Sequence, residues 1–121
     1  MKVLVNISNH PSSRWSDKQT KGWDEIIDYQ FPNVDPSLQD TRELAEQVYF
    51  NIVPELEEHY PVDNIYLMVQ GEFSLCYNLF MINLENNCYN IVVPTTKREV
   101  VEQGNIKTSI FTFVTWREIR T

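Results

Sequence analysis

The sequence predicts one α/β domain of three layers, with a mostly parallel central sheet and a C-terminal β-hairpin on one edge. Along residues 2–98, short apolar runs typical of strands alternate with segments of helical periodicity, the order expected of a doubly wound sheet. Beyond them, residues 107–118 alternate between apolar and polar types, which is typical of a hairpin strand. A chain of 121 residues is long enough for one such domain, residues 1–121, and too short for two.

The first two strands are predicted at residues 2–7 and 25–31. The first is rich in β-branched residues and continuously apolar, so we expect it to be buried on both faces. A polar loop follows it, and Ser16 is the expected N-cap of a short helix. The second strand alternates only partly and is expected near the sheet edge; it stops at Pro32, because two prolines within five residues cannot continue a ladder.

Two helices and two further strands complete the predicted sheet. A helix over residues 38–58 is expected to be capped by Ser37 or Asp40, and Pro54 is expected to kink or split it. Its buried stripe is predicted from helical spacing as Ala45, Val48, Tyr49, Ile52 and Leu56. The remaining elements are a central strand at 64–69, a helix at 75–86, a strand at 89–93 and a closing loop at 94–98.

The end of the chain predicts a hairpin with two distinct faces. Residues 99–102 are expected to be extended, and residues 103–105 to turn. In the strand that follows, strict alternation places Ile110, Thr112, Val114 and Trp116 on one face, and Phe111, Phe113 and Thr115 on the other.

Charge and composition restrict the function classes. The net charge of −7 argues against a duplex-binding domain, which normally carries a broad basic face. No apolar run approaches the ~20 residues of a membrane span, and the N-terminal segment reads as a strand, so a cytoplasmic protein is expected. Cys76 and Cys88 are too few and wrongly spaced for a zinc or disulfide framework, and both are expected to be small buried residues.

Several common chemistries lack their sequence signatures. The chain has no G-x-G-x-x-G, no G-x-x-x-x-G-K-[ST] and no G-x-S-x-G, which disfavours dinucleotide, P-loop and α/β-hydrolase sites. His10 and His59 are far apart and lack partners at metal-ligand spacing. We therefore expect neither a cofactor nor a metal.

Candidate ligand-binding residues fall in the loops after the first, third and fourth strands. The crossover rule places these loops on one carboxyl-end rim, where open α/β sheets bind ligands. Gly71 permits close backbone approach, free amides at the next helix start can receive an anion, and hydroxyls with cations suit phosphate oxygens. The loops supply Ser8, Asn9, His10, Ser12, Ser13, Arg14 and Trp15; Gln70, Gly71 and Glu72; and Thr95, Thr96, Lys97 and Arg98.

Each of these side chains also has a structural interpretation. His10 is either a bonded loop residue or an acid–base group, and Trp15 either covers the sheet or stacks on a base. Glu72 is better interpreted as a first-turn residue favoured by the helix dipole than as a base. The two cations of the third loop could be solvated edge charges. Their convergence on one rim is a stronger signal than any single residue.

Four motifs together resemble a known family. NISNHPSSRWS, FPNVDP, VQGEFSL and PTTKR resemble segments of small stand-alone CRISPR-associated Rossmann-like (CARF-type) proteins, and the resemblance spans nearly the whole chain. It implies a Rossmann-like fold and a homodimer whose two-fold axis passes through the ligand site. It also implies a ligand, cyclic oligoadenylate, the second messenger of type III CRISPR systems in antiviral defence.

The resemblance implies roles for the rim residues. A ring of phosphates would contact Ser12, Ser13, Thr95, Thr96, Lys97 and Arg98, and adenines would contact Trp15 and Gln70. A metal-independent ring nuclease would use the substrate's ribose 2′-hydroxyl as nucleophile, with His10 as general acid or base and Arg98 or Lys97 stabilising charge on phosphorus.

Three alternatives stay open from the sequence. The protein could sequester the ring without cutting it. It could instead be a non-enzymatic interaction module that uses the apolar hairpin residues Phe111, Phe113 and Trp116. An ordinary mononucleotide-binding enzyme is disfavoured by the missing phosphate fingerprints.

Overall fold

The computed structural model describes residues 1–120 and gives these residues an α/β fold with one five-stranded mixed sheet. The strands are β1 (Val3–Ser8), β2 (Glu25–Gln30), β3 (Ile65–Val69), β4 (Asn90–Gln103) and β5 (Ile106–Ile119). The helices are α1 (Asp17–Thr20), α2 (Arg42–His59) and α3 (Phe73–Glu85), with single 3₁₀ turns at Ser12–Arg14 and Val62–Asn64. The prediction of an α/β domain is confirmed in this form.

The sheet has the strand order β2-β1-β3-β4-β5. β1 pairs in parallel with both β2 and β3, β4 pairs in parallel with β3, and β5 runs antiparallel to β4. Every residue of β1 is buried, as its continuous apolar run predicts, whereas β2 is partly exposed at the sheet edge. The chain reverses its winding direction at β1, so the carboxyl ends of β1 and β3 border a crevice.

Two apolar clusters cover the two faces of the sheet. Val5 and Ile7 of β1 point to one face, where α2 and α3 pack, while Leu4 points to the other. On the helical face the cluster includes Ala45, Tyr49, Ile52, Leu56, Leu75, Leu79 and Ile82. Val48 is partly buried and packs against the cluster, so the predicted stripe of α2 is confirmed. The opposite face is covered by a group of aromatic side chains, namely Trp15, Trp23, Tyr66 and Trp116.

The helix starts differ from the prediction because local turns occupy the expected caps. Ser37 is engaged elsewhere, since its amide and hydroxyl both donate to Asp35 Oδ1, at 2.9 and 2.8 Å. The helix α2 therefore begins at Arg42, whose amide donates to Asp40 Oδ1 at 2.8 Å. It then continues through Pro54 to His59 as one helix and is not split. Ser16 caps α1 as predicted, its hydroxyl accepting from the Gln19 amide.

The fourth strand does not end in a loop, so the predicted loop at 94–98 is wrong. Thr95, Thr96, Lys97 and Arg98 all lie on β4 and pair with β5. Pro94 is tolerated within the strand because β4 pairs with β3 only at Asn90 and Ile91, so the missing N–H interrupts no ladder on that side. The turn is also shorter than predicted: Gln103 belongs to β4, and Gly104, with φ +63°, begins a two-residue connection.

A β-bulge in β5 changes the predicted faces of the hairpin. Thr95 pairs with Thr115 and Thr96 with Phe113, which leaves Val114 without a partner on β4. Phe113 and Trp116 consequently share a face, with ring centroids 5.5 Å apart, where strict alternation predicts opposite faces. Residues 97–112, all exposed, form the part of the hairpin that we call the arm.

The cysteines are less buried than expected. Cys76 is half-buried on α3, and Cys88 is exposed with φ +53°, in the turn that leads from α3 to β4. In the described part of the chain, no helix combines the length and apolar character needed to span a membrane.

Candidate functional site

A cavity opens where β4 diverges from β3 at the carboxyl end of the sheet. It has a volume of about 250 Å³, and we call it the Trp15 cavity. Its wall combines the loop after β1, the end of β3 and the base of the hairpin: Asn9, His10, Pro11, Arg14, Trp15, Gln19, Gln70, Pro94, Thr96 and Phe113. Six predicted site residues, Asn9, His10, Arg14, Trp15, Gln70 and Thr96, thus lie in one wall.

The loop after β1 is organised around the main-chain carbonyl of His10. This oxygen accepts hydrogen bonds from Asn6 Nδ2 at 3.0 Å and Trp15 Nε1 at 3.1 Å, and Ser8 Oγ lies 3.2 Å from it. Asn6 and Ser8 are buried and joined to each other, Ser8 Oγ donating to Asn6 Oδ1 at 2.7 Å. The His10 amide in turn donates to Ser8 Oγ at 3.1 Å. The network holds the residues that carry the His10 and Trp15 side chains before any ligand binds.

The neighbouring strand fixes the rest of this loop through Asp28. Its Oδ1 accepts from Asn6 Nδ2 at 2.9 Å, and its Oδ2 accepts from the amide and the hydroxyl of Ser12, at 3.2 and 2.9 Å. The Ser12 hydroxyl is therefore directed to the protein. Ser12 and Ser13 lie in the 3₁₀ turn, and neither lines the Trp15 cavity.

Charge in the Trp15 cavity comes from one guanidinium. Arg14 is exposed, and among residues 1–120 no carboxylate forms an ion pair with it. No Asp or Glu lines the cavity, although the whole chain carries a net charge of −7. An anionic group that enters the cavity therefore meets a cation and no repelling carboxylate.

Aromatic rings form the apolar part of the wall. Trp15 packs against Trp116, with centroids 5.7 Å apart, and therefore contributes to the cover of the sheet while also lining the cavity. Trp116 holds the base of the hairpin against α1, since its Nε1 donates to the Gln19 carbonyl at 2.9 Å. The bulge at Val114 brings Phe113 onto the same face. Trp15 thus covers the sheet, as one interpretation predicts, and it also exposes its ring to the cavity, where the other interpretation requires it.

Three predicted residues of the hairpin lie outside the cavity wall. Thr95 Oγ1 donates to the Thr115 carbonyl at 3.0 Å across the bulge. Lys97 Nζ lies 3.5 Å from Glu99 Oε1 on the same strand. The Arg98 guanidinium donates to Ser109 Oγ at 3.1 Å and lies over the Phe111 ring, 6.0 Å from its centroid. Lys97 and Arg98 are consequently solvated arm charges with partners on the arm itself.

Glu72 and Gly71 have structural partners at the start of α3. The Glu72 carboxylate is the N-cap, accepting from the amides of Ser74 at 3.0 Å and Leu75 at 2.8 Å. Hydrogen bonds from Ser74, and then from the Leu75 amide, lower the pKa of Glu72. The prediction of free amides for a ligand anion is wrong, because Glu72 already occupies them. The space that a side chain at Gly71 would need is filled by the Phe31 ring.

Further residues shape the site beyond those predicted from the sequence. Gln19, Pro94 and Phe113 line the cavity, and Asn6 and Asp28 hold its loop. Asn6 carried a usable signal, because an amide within a buried apolar strand requires hydrogen-bond partners. The position of Phe113 depends on the bulge, which no residue pattern in β5 marks.

Comparison with known proteins identifies the family but assigns no activity. A family model described as the Uncharacterized protein MJ1673 family matches residues 2–117. The chain belongs to this family. The match includes every residue that lines the Trp15 cavity, so the site lies wholly within the region shared with the MJ1673 family. No curated protein and no solved structure matches the chain.

Proposed function

We propose that the Trp15 cavity binds one nucleotide unit of cyclic oligoadenylate, in a Rossmann-like three-layer domain that acts as a cytoplasmic homodimer. The observation that carries the proposal is the setting of Arg14. This cation has no carboxylate partner among residues 1–120 and lines a cavity that contains an indole and three amide side chains. A phosphate, a flat base and polar base edges are complementary to these three kinds of group.

Each part of a nucleotide has a partner in the wall. Arg14 is suited to bind phosphate oxygens through two parallel N–H donors. Trp15 and Phe113 offer ring surfaces for an adenine. Gln19 and Gln70 carry amides, which pair in two places with the N6 and N7 edge of adenine. This combination favours an adenine nucleotide over a simple anion.

The size of the cavity supports a shared ligand. About 250 Å³ lies just below the range of roughly 300–1,000 Å³ for small-molecule sites, which allows one nucleotide unit at most. A ring of several nucleotides would extend beyond it. A second copy of the chain, related by a two-fold axis at the rim, would present the same wall to another unit of the ring.

The proposed reaction is cleavage by the ligand's own ribose. The 2′-oxygen attacks the adjacent phosphorus, the bond to the 5′-oxygen breaks, and the product carries a 2′,3′-cyclic phosphate and a 5′-hydroxyl. His10 takes the proton from the 2′-hydroxyl and delivers a proton to the leaving 5′-oxygen. Arg14 stabilises the negative charge that develops on the phosphate oxygens. Arg14 replaces Lys97 and Arg98 in this role because it lines the cavity while they pair on the arm.

Incubation with radiolabelled cyclic tetra- and hexa-adenylate tests the proposal. We expect one ring to bind and linear products to appear. Arg14→Ala should weaken binding by about tenfold or more, the scale of one hydrogen bond to a charged group, and His10→Ala should lose turnover while it retains affinity. Lys21→Ala is the matched control, a cation near α1 that does not line the cavity. Absence of binding to both rings contradicts the proposal; binding without products leaves a sequestering protein.

A second candidate function is an interaction module. The arm exposes large apolar side chains, with Ile106 68% and Phe111 64% exposed, and β5 has a free edge along its length. Exposed edges of this kind pair with other chains. A variant without the arm separates the two functions, because it keeps Thr96 and Phe113 of the cavity wall. The cavity proposal expects this variant to bind the ring as the native protein does. The module is favoured if the native protein binds neither ring and self-associates, in analytical ultracentrifugation, only while the arm is present.

A further inference from the structure

A second cavity lies on the other side of the same loop, between the carboxyl ends of β1 and β2. Its volume is about 270 Å³, and we call it the Asp28 cavity. It is lined by Asn6, Ser8, Asn9, Pro11, Asp28, Tyr29 and Gln30. Asn9 and Pro11 also line the Trp15 cavity, so the two cavities are separated by a wall one loop thick.

The two cavities differ in charge. In the described part of the chain, no Lys, Arg or His lines the Asp28 cavity, and Asp28 is its one carboxylic acid. A phosphate would therefore meet a carboxylate there without a balancing cation. Its exposed wall combines acceptor oxygens, the Asp28 carboxylate and the amide oxygen of Gln30, with the amide N–H donors of Asn9 and Gln30. The complementary ligand group donates to the carboxylate and can also accept from an amide, as a sugar hydroxyl does.

Asp28 is held in place and keeps a free acceptor position. Three donors, Asn6 Nδ2 and the amide and hydroxyl of Ser12, fix its two oxygens. A carboxylate has about four lone-pair sites, so one remains for a ligand. Gln30 is also available, because the one side-chain hydrogen bond it makes among residues 1–120, to Asn9 Oδ1, is 3.5 Å long and therefore weak.

The Asp28 cavity does not offer a stacking surface for a base. Tyr29 is its one aromatic residue, and its ring packs against the helical core. The Tyr29 hydroxyl donates to Glu55 Oε2 on α2 at 3.0 Å. A base would find no free ring face here, whereas hydroxyl groups would find acceptors.

We propose that the Asp28 cavity is a ribose subsite, in which Asp28 and Gln30 accept hydrogen bonds from the hydroxyls of a nucleotide unit next to the one at Trp15. This inference rests on the proposed function, because it assumes a ligand that spans both cavities. A contact with the 2′-hydroxyl makes the site selective for ribonucleotides over deoxyribonucleotides.

The test compares the ring that binds, cyclic tetra- or hexa-adenylate, with the same ring lacking its 2′-hydroxyls. Affinities are measured by rapid-mixing tryptophan fluorescence, before linear product accumulates. We expect the ribose ring to bind about tenfold or more tightly. Asp28→Ala and Gln30→Ala should each reduce this preference at least threefold by weakening ribose-ring binding alone. Gln103→Ala, an exposed amide on the arm, is the control and should leave the preference unchanged.

The measured quantity is the ratio of the affinities for the two rings, compared between the native protein and each variant. In this comparison an effect of the deoxy sugar on ring shape cancels, because it is the same for every protein, and an effect of Asp28 on loop folding cancels, because it is the same for both rings. Gln30→Ala is the safer variant, since it removes only a weak hydrogen bond. Equal binding of the two rings by the native protein overturns the ribose subsite and leaves the proposed function standing. An equal loss for both rings in both variants also overturns it, because the residues then only support the loop. If neither cyclic tetra-adenylate nor cyclic hexa-adenylate binds, both proposals are removed.

Discussion

Gly71 shows the effect of a single missing side chain. A Cβ at this position would lie 2.5 Å from three atoms of the Phe31 ring, and that ring is buried in the helical core. Gly71→Ala therefore forces the ring or the loop to move, and we expect a loss of about 1–3 kcal/mol in the free energy of unfolding, measured by urea denaturation.

The smaller side chain in Phe31→Leu provides the control for this overlap. In the double variant Gly71→Ala/Phe31→Leu, the alanine should cost less than it does beside the native ring. Equal costs in the two backgrounds would show that the ring is not what requires glycine.

Glu72 provides a pH-dependent contribution to stability. Hydrogen bonds from Ser74 and Leu75 lower its pKa in the folded state below the ordinary value of 4.5. Its stabilising effect is therefore present above pH 4.5 and is lost as the pH falls through the folded-state pKa. We expect Glu72→Gln to be less stable than the native protein at pH 7 and to approach it at acid pH, in urea unfolding repeated across pH. A constant difference at all pH values would contradict the capping role.

Pro54 weakens α2 at the scale of one element. Proline cannot donate the N–H that would bond to the carbonyl one turn earlier, and its ring crowds that carbonyl. The residue is exposed, so replacing it removes no core packing. We expect Pro54→Ala to raise the free energy of unfolding by roughly 1–3 kcal/mol. This range allows for the higher entropy of the unfolded chain without the proline, which partly offsets the gain in helix stability. Unchanged or lower thermal stability would mean that the helix requires its proline.

The elements show which patterns in the sequence carry information. β1 and the stripe of α2 were predictable because burial imposes a recognisable residue pattern on both elements. The predicted fourth strand is too short because Pro94 and the two threonines after it are typical of a loop. Pairing with β5 makes the same residues part of a strand. The bulge at Val114 was not predictable, since it reflects the register between two strands and not the composition of either.

At the scale of the whole molecule, the body and the arm are separate. All buried apolar residues lie between Val3 and Val92 in the described chain, and every residue of the arm is exposed. Lys97 pairs with Thr112, so replacing residues 98–111 by Asn-Gly closes the hairpin in its native register. We expect the shortened protein to melt within about 5 °C of the native one, as followed by circular dichroism. Loss of cooperative unfolding would contradict this division.

The sequence located about half of the candidate site. The residues of the β1 loop and Gln70 follow from the rule that parallel strands end at a common edge. Ser12, Glu72 and Arg98 did not reach the cavity wall because each found a partner within the protein: Asp28, the α3 amides and Ser109. The sequence shows which side chains could bind a ligand, but it does not show which of them are already engaged by hydrogen bonds within the protein.

The Trp15 cavity is assembled from segments far apart in the chain: its loop is complete by Gln19, while its opposite wall includes Pro94, Thr96 and Phe113. During translation the residues of the helical core emerge first, and the hairpin follows after about thirty more have been added to Val92. A nascent chain that lacks the hairpin therefore lacks one wall of the cavity, together with the Trp116 ring that covers part of the sheet.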